Sequence, residues 1–165
     1  MAVDPSLIGR TYRMAEPYLV GREKLREFAT AVGAKATACF DPIAARALGY
    51  ADVVAAPTFA AVIAQRAEAA YINDPAAGID FARVVHAEEA LRHHRPIVAG
   101  DEIWAELTVQ SVRTRGPLTT VTTSVELSDA VHRPVASVLS TLAVRPEADR
   151  ARDSHRALDN SEAVE

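Results

Sequence analysis

Arg95-Pro96-Ile97-Val98-Ala99-Gly100-Asp101 is the stretch whose reading decides the fold. Pro96 lacks a backbone donor, and Gly100-Asp101 has the composition of a tight turn, so no regular element runs straight through. On its C-terminal side Ile103, Ala105, Leu107 and Val109 alternate with Trp104, Glu106, Thr108 and Gln110. A period of two predicts a strand with one buried face. On its N-terminal side Phe81 to Arg92 reads as another strand, so the stretch is expected to form a turn between two strands. Further on, a Thr/Val run from Leu118 to Leu127 follows a turn at Arg115-Gly116-Pro117, and a turn within 128–134 leads into Val135 to Val144. Their β-branched composition implies three consecutive antiparallel strands after the turn.

Upstream, Val53 to Ala64 is apolar apart from Thr58, so a helix starting after Pro57 must be buried almost all round. One apolar helix followed by long strands satisfies its surface only if the sheet curls around it. The expected class is α+β, with a curved antiparallel sheet wrapped around a central helix, the hot-dog architecture. Nearer the start, Thr11-Tyr12-Arg13 through Tyr18-Leu19-Val20 reads as an edge strand broken by Gly21. Leu25, Phe28, Ala29 and Val32 follow helical spacing, with Gly33 placed to close the helix. Asp41-Pro42 supplies an N-cap and a first-turn proline for a short helix ended by Gly49. Asn73 to Gly78 carries loop chemistry. Residues 1–145 are read as one domain and 146–165 as a polar, mobile tail.

Composition narrows the function classes. The 165 residues are 49% hydrophobic and 24% charged, within the globular range. No apolar run approaches the ~18 residues of a membrane span, and the start lacks the basic and apolar regions of a secretory signal. A cytoplasmic location is the expectation. With one cysteine, Cys39, neither an intrachain disulfide nor a thiolate metal cluster can form within the chain. A net charge of −4 without a dense basic block argues against a nucleic-acid partner.

Three segments then carry a family likeness: 20–29 (Val-Gly-Arg-Glu-Lys-Leu-Arg-Glu-Phe-Ala), Ala47-Leu48-Gly49-Tyr50 followed by Ala55-Ala56-Pro57-Thr58-Phe59, and the turn at 95–101. In that order and spacing, from about Leu7 to Val144, the chain resembles the MaoC-like hot-dog dehydratases with a FAS1-type dehydratase-like domain. More narrowly, it resembles the actinobacterial (3R)-hydroxyacyl-thioester dehydratase subunits and their relatives. The resemblance implies an acyl-ACP or acyl-CoA ligand, no cofactor, and a dimer paired edge to edge. That dimer is either a homodimer or a heterodimer with a catalytic hot-dog subunit.

Catalytic members of the family carry an Asp and, five residues later, a His that exchanges the proton alpha to the thioester carbonyl. A backbone N–H at the start of the core helix polarises that carbonyl. Alignment on Ala31-Val32 and Asp41 puts Ala34 at the Asp position and Cys39 at the His position. Alanine has no titratable group, and a thiol of ordinary pKa is mostly protonated at neutral pH. Pro57 falls near the family's glycine without an N–H to offer, and Thr58 N–H is the available substitute. The candidate substrate-binding set is Pro57, Thr58, Phe59, Ala60 and Ala61.

Other residues carry competing readings. Cys39 is either a reactive thiol or a small apolar filler, and with only Lys35 as a basic neighbour the filler reading is preferred. His86 is the alternative base if the chain acts alone. His93 and His94 must point to opposite sheet faces. These histidines with Glu88 and Glu89 along one strand do not make a metal site. Asp101 reads as turn chemistry. Trp104 reads equally as a partner surface or as a solvated sheet face.

The functional expectation is a dyad-lacking subunit that binds acyl chains beside a catalytic hot-dog chain. The alternatives are a stand-alone dehydratase or hydratase with a non-standard base, and a non-catalytic acyl-CoA-binding homodimer.

Overall fold

The computed structural model describes residues 3–79 and 81–145. The expected C-terminal tail lies outside these residues. Six strands, β1 (Thr11–Arg13), β2 (Tyr18–Leu19), β3 (Val84–His93), β4 (Glu102–Arg115), β5 (Leu118–Asp129) and β6 (Pro134–Val144), form one antiparallel sheet. Its order is β1-β4-β5-β6-β3, with β2 also on β4. The helices are α1 (Arg22–Ala31), α2 (Pro42–Ala47) and α3 (Phe59–Ile72). This is the expected hot-dog architecture.

The stretch at 95–101 joins two strands as anticipated, but these are not neighbours. β3 pairs with β6 at one edge of the sheet, while β4 lies two strands further in. The stretch is therefore a crossover at the end of the sheet, and its polar residues hold it there. Arg95 grips Asp101 through Nη1 to Oδ2 at 2.7 Å and Nη2 to Oδ1 at 3.1 Å, and Val98 N–H donates to Asp101 Oδ2 at 2.9 Å. Ala99 N–H donates to Val53 O, and Gly100 N–H to Val20 O. Gly100 has a φ of 95°, which a side chain would strain. Asp101 thus works as turn chemistry. β3 begins three residues later than its composition indicates, because Phe81–Arg83 forms a 3-10 turn.

The two short N-terminal strands lie end to end along β4, interrupted between residues 13 and 18, rather than as one continuous edge strand. Asp41 caps α2 through Oδ1 to Ile43 N–H at 2.8 Å, as its position before Pro42 predicts. On the exposed face of α1, Arg26 pairs with Glu23 and Lys24 with Glu27, each three residues apart. The inward residues of β4, Ile103, Ala105, Leu107 and Val109, alternate with more exposed neighbours.

Against this face lies α3, with Phe59, Ala60, Ile63, Ala64, Ala67 and Tyr71 fully buried. The alanines bring the helix backbone close to the sheet. The Phe59 ring lies edge-on to Tyr18 at 6.0 Å and to Phe28 at 5.2 Å, tying the start of α3 to β2 and α1. No helix among the described residues is long and apolar enough to cross a membrane.

Candidate functional site

The segment after α1 is built from backbone hydrogen bonds. Gly33 turns the chain with a φ of 67°, Ala34 N–H returns to Ala29 O at 2.8 Å, and Thr37–Cys39 makes a 3-10 turn. Ala38 O accepts from Val54 N–H, and Ala55 N–H donates to Ile97 O, so this segment, the approach to α3 and the crossover at 95–101 form one layered mouth. Ala34 is half-buried and offers only a methyl group. Cys39 is 6% exposed, and burial pushes its thiol pKa up, so its thiolate is suppressed. The geometry makes it an apolar filler.

The five residues singled out at the start of the core helix divide by burial. Phe59 and Ala60 are in the core, whereas Pro57 and Thr58 are exposed and Ala61 is half-buried. Thr58 is the N-cap of α3, but its side chain makes no capping bond. Its N–H finds no acceptor among the described residues. It therefore remains able to bind an oxyanion, as the orphan donors of a helix start can. Pro57 contributes its carbonyl instead, which faces His93 Nε2 at 2.8 Å. Because a carbonyl only accepts, this contact requires the proton on Nε2.

Beside them a pocket of about 400 Å³ is lined by Val54, Ala55, Pro57, His93, Arg95 and Ile97, among others. His94, just past the end of β3, also borders this pocket, and its Nε2 meets Ser137 Oγ at 3.1 Å. Replacing Asp101 with Ala leaves Arg95 and Val98 N–H without their partner at this mouth. The expected loss is about 1–3 kcal/mol in urea unfolding, with Asp101→Asn retaining part of it.

His86 lies at the opposite end of α3 from the mouth. A register shift between His86 and Glu88 places His86 opposite Leu142 and Glu89 opposite Ser140, so both point toward the helix. His86 Nε2 approaches Glu68 Oε2 at 3.3 Å, and Glu68 is 2% exposed. Glu89 is exposed, and partial desolvation raises its carboxyl pKa only in part against solvent, with His86 opposing that shift and Glu68 adding to it.

Neither Glu68 nor the bulge was anticipated from the sequence. Glu68 sits where α3 turns polar in composition, and a glutamate there reads as solvent-facing. No group of three metal-ligating side chains occurs among the described residues. Trp104 lies on the outer sheet face beside Arg13, Glu106 and His132, in a smaller pocket of about 180 Å³.

The comparisons with known proteins agree with this architecture. The family model for the FAS1-like, dehydratase domain region matches residues 6–138. A UPF0336 protein of Clavibacter michiganensis is 49% identical over 145 residues, covering 88% of this chain and 97% of that protein. A second, from Leifsonia xyli, is 46% identical over 143 residues, covering 87% and 96%. Among solved structures, the C-terminally truncated HadBC complex of Mycobacterium tuberculosis, a (3R)-hydroxyacyl-ACP dehydratase, contains a similar chain. The TM-score is 0.76 at 29% identity, with 87% of this chain and 99% of that one covered. Fold, segment order and sequence identity converge, and the chain belongs to the FAS1-like dehydratase domain family, among the MaoC-like hot-dog proteins.

Proposed function

We propose that this chain is an acyl-thioester-binding hot-dog subunit that lacks its own proton-transfer dyad and works beside a catalytic hot-dog chain. The observation that carries the reading is the pair Ala34 and Cys39. One has no titratable group, and the other is a buried thiol with its pKa raised. The mouth nevertheless keeps what binding needs: an apolar pocket, a Thr58 N–H with no acceptor among the described residues, and a crossover clamped by Arg95 and Asp101. Arg95 is engaged by Asp101 and is not reserved for a phosphate.

His86 does not fill the gap. A base must reach the proton it takes within a hydrogen bond or through one water. His86 pairs with Glu68, nine residues into a helix that starts near Pro57. The partner role is supported by the likeness to a HadBC chain, since that assembly is a complex. A cytoplasmic acyl-ACP or acyl-CoA as ligand, with no cofactor, fits the same reading.

The test is hydration of crotonyl-CoA by the purified chain, then by the complex recovered when it is co-expressed with a hot-dog chain carrying the Asp/His pair. The isolated chain is expected to stay at background, because a positioned acid or base contributes roughly 10²–10⁴-fold. The complex is expected to turn over. Robust turnover by the isolated chain that His86→Ala abolishes and Cys39→Ser does not would replace this reading with that of a stand-alone hydratase.

A further inference from the structure

The sheet has one long free edge. β3 runs for ten residues and pairs with β6 on one side only, so the backbone groups along its other side meet no strand among the described residues. Val85 to Ala90 are exposed without a break. The outer face beside this edge is partly apolar: Val85 is 51% exposed and Leu139 44%, and Leu139 stands opposite Ala90. A long exposed edge with an apolar flank is a template for a further strand.

The middle of that edge is acidic. Glu88 and Glu89 are adjacent and exposed, and among the described residues neither is held by an ion pair. The bulge after His86 sets Glu88 opposite Thr141 on the outer face and Glu89 opposite Ser140 on the inner face, so the strand carries a carboxylate on each face at its centre. Behind Glu89 lies the buried Glu68, whose Oε2 meets His86 Nε2 at 3.3 Å and whose Oε1 has no hydrogen-bond partner. Its charge acts on Glu89, and a buried carboxylate is screened less than an exposed one.

These positions bear on which chain can pair there. When two copies of a strand pair antiparallel about a two-fold axis, the residue on the axis faces its own copy across the ladder. The two registers that overlap β3 most fully put the axis at Glu88 or at Glu89. Either one sets like charges directly opposite each other, which is destabilising. Arg92 lies toward the strand end and falls opposite the far end of the copy, away from its glutamates.

We propose that the free edge of β3 takes a hot-dog chain whose own edge strand carries arginine or lysine at its centre, and that Glu88 and Glu89 select this basic partner against a second copy of the chain. The inference rests on the partner-subunit reading above and adds the chemistry of the partner and the residues that choose it. Main-chain hydrogen bonds and the apolar flank supply attraction toward any strand. The glutamates supply the discrimination.

The experiment makes the basic partner from this same sequence. The full chain is mixed with its charge-reversed variant Glu88→Lys/Glu89→Lys, both changes being at exposed positions, and sedimentation equilibrium gives the dissociation constants of the three possible pairs. At low ionic strength the mixed pair is expected to be about tenfold tighter than the parent's own pair or more, and high salt should shrink the difference. Glu88→Gln/Glu89→Gln should self-associate more tightly than the parent. A parent homodimer as tight as the mixed pair, or one unchanged by the glutamine substitutions, overturns the charge selection.

A second arm co-expresses the parent, and separately the charge-reversed variant, with the hot-dog chain carrying the Asp/His pair. Co-purification and crotonyl-CoA hydration are the readouts. The parent's complex is expected to persist and the reversed variant's to be lost. Complexes that form and turn over equally with both overturn the charge selection and leave the subunit reading standing. A parent that pairs neither with its charge-reversed copy nor with the catalytic chain overturns both.

Discussion

Ala34→Asp and Cys39→His introduced together give this chain hydration of crotonyl-CoA well above either single change, by as much as the roughly 10²–10⁴-fold that positioned acid–base groups supply. The two positions lie at the ends of a short segment fixed by Ala34 N–H to Ala29 O, Cys39 N–H to Ala36 O and Ala38 O to Val54 N–H. Side chains placed there are held by backbone geometry rather than by a mobile loop. Each single change supplies half of a proton-transfer pair, so the effects should combine non-additively.

The histidine carries a cost. Cys39 is 6% exposed, and overfilling such a site typically destabilises by about 1–3 kcal/mol. Circular dichroism and thermal unfolding must therefore accompany the rate measurement. A folded double variant no faster than the single ones would show that more than two side chains is missing. Pro57 is then the next deficit, since a proline has no N–H to offer an oxyanion.

Much of the fold was legible because its signals are local. Asp41-Pro42 is a cap followed by a first-turn proline, Gly33 is a helix stop, and the alternation from Ile103 to Val109 fixes one face of β4. What escaped is set by distant contacts. Nothing around residues 95–101 says that β3 lies across β6 rather than beside β4, because the pairing partner is some fifty residues away in sequence. The bulge after His86 turns a second polar residue, Glu89, inward against simple alternation.

Glu68 escaped for another reason. It lies on the buried stripe of its helix with Ala60, Ala64, Ala67 and Tyr71, but a carboxylate there reads as solvent-facing. The candidate set stands at the start of α3, and which of its members are buried and which are exposed depends on the roll of the helix. Burial of Phe59 and Ala60 beside exposure of Pro57 and Thr58 expresses that roll.

Phe59→Ala should be the most damaging single truncation near the site, at about 3–5 kcal/mol, the usual cost of deleting a fully buried aromatic ring. The ring is 0% exposed and is the shared neighbour of Tyr18 on β2 and Phe28 on α1. Its loss therefore opens a cavity where three elements meet, and collapse to fill it would move the start of α3. Small domains have about 5–15 kcal/mol in total, so the variant should remain folded at low temperature with a much lower midpoint in urea.

Two companion changes separate packing from capping. Phe59→Leu keeps part of the apolar volume and should lose clearly less. Thr58→Ala should change stability by no more than about 0.5 kcal/mol, because the Thr58 side chain makes no capping bond and is exposed. If Thr58→Ala proves as costly as Phe59→Ala, the helix start is held by its cap and not by the ring. If all three changes are mild, the mouth is not anchored through Phe59. Acyl-thioester binding measured on the same variants ties the result to the site: a displaced helix start moves Thr58 N–H, so Phe59→Ala should weaken binding even where it remains folded.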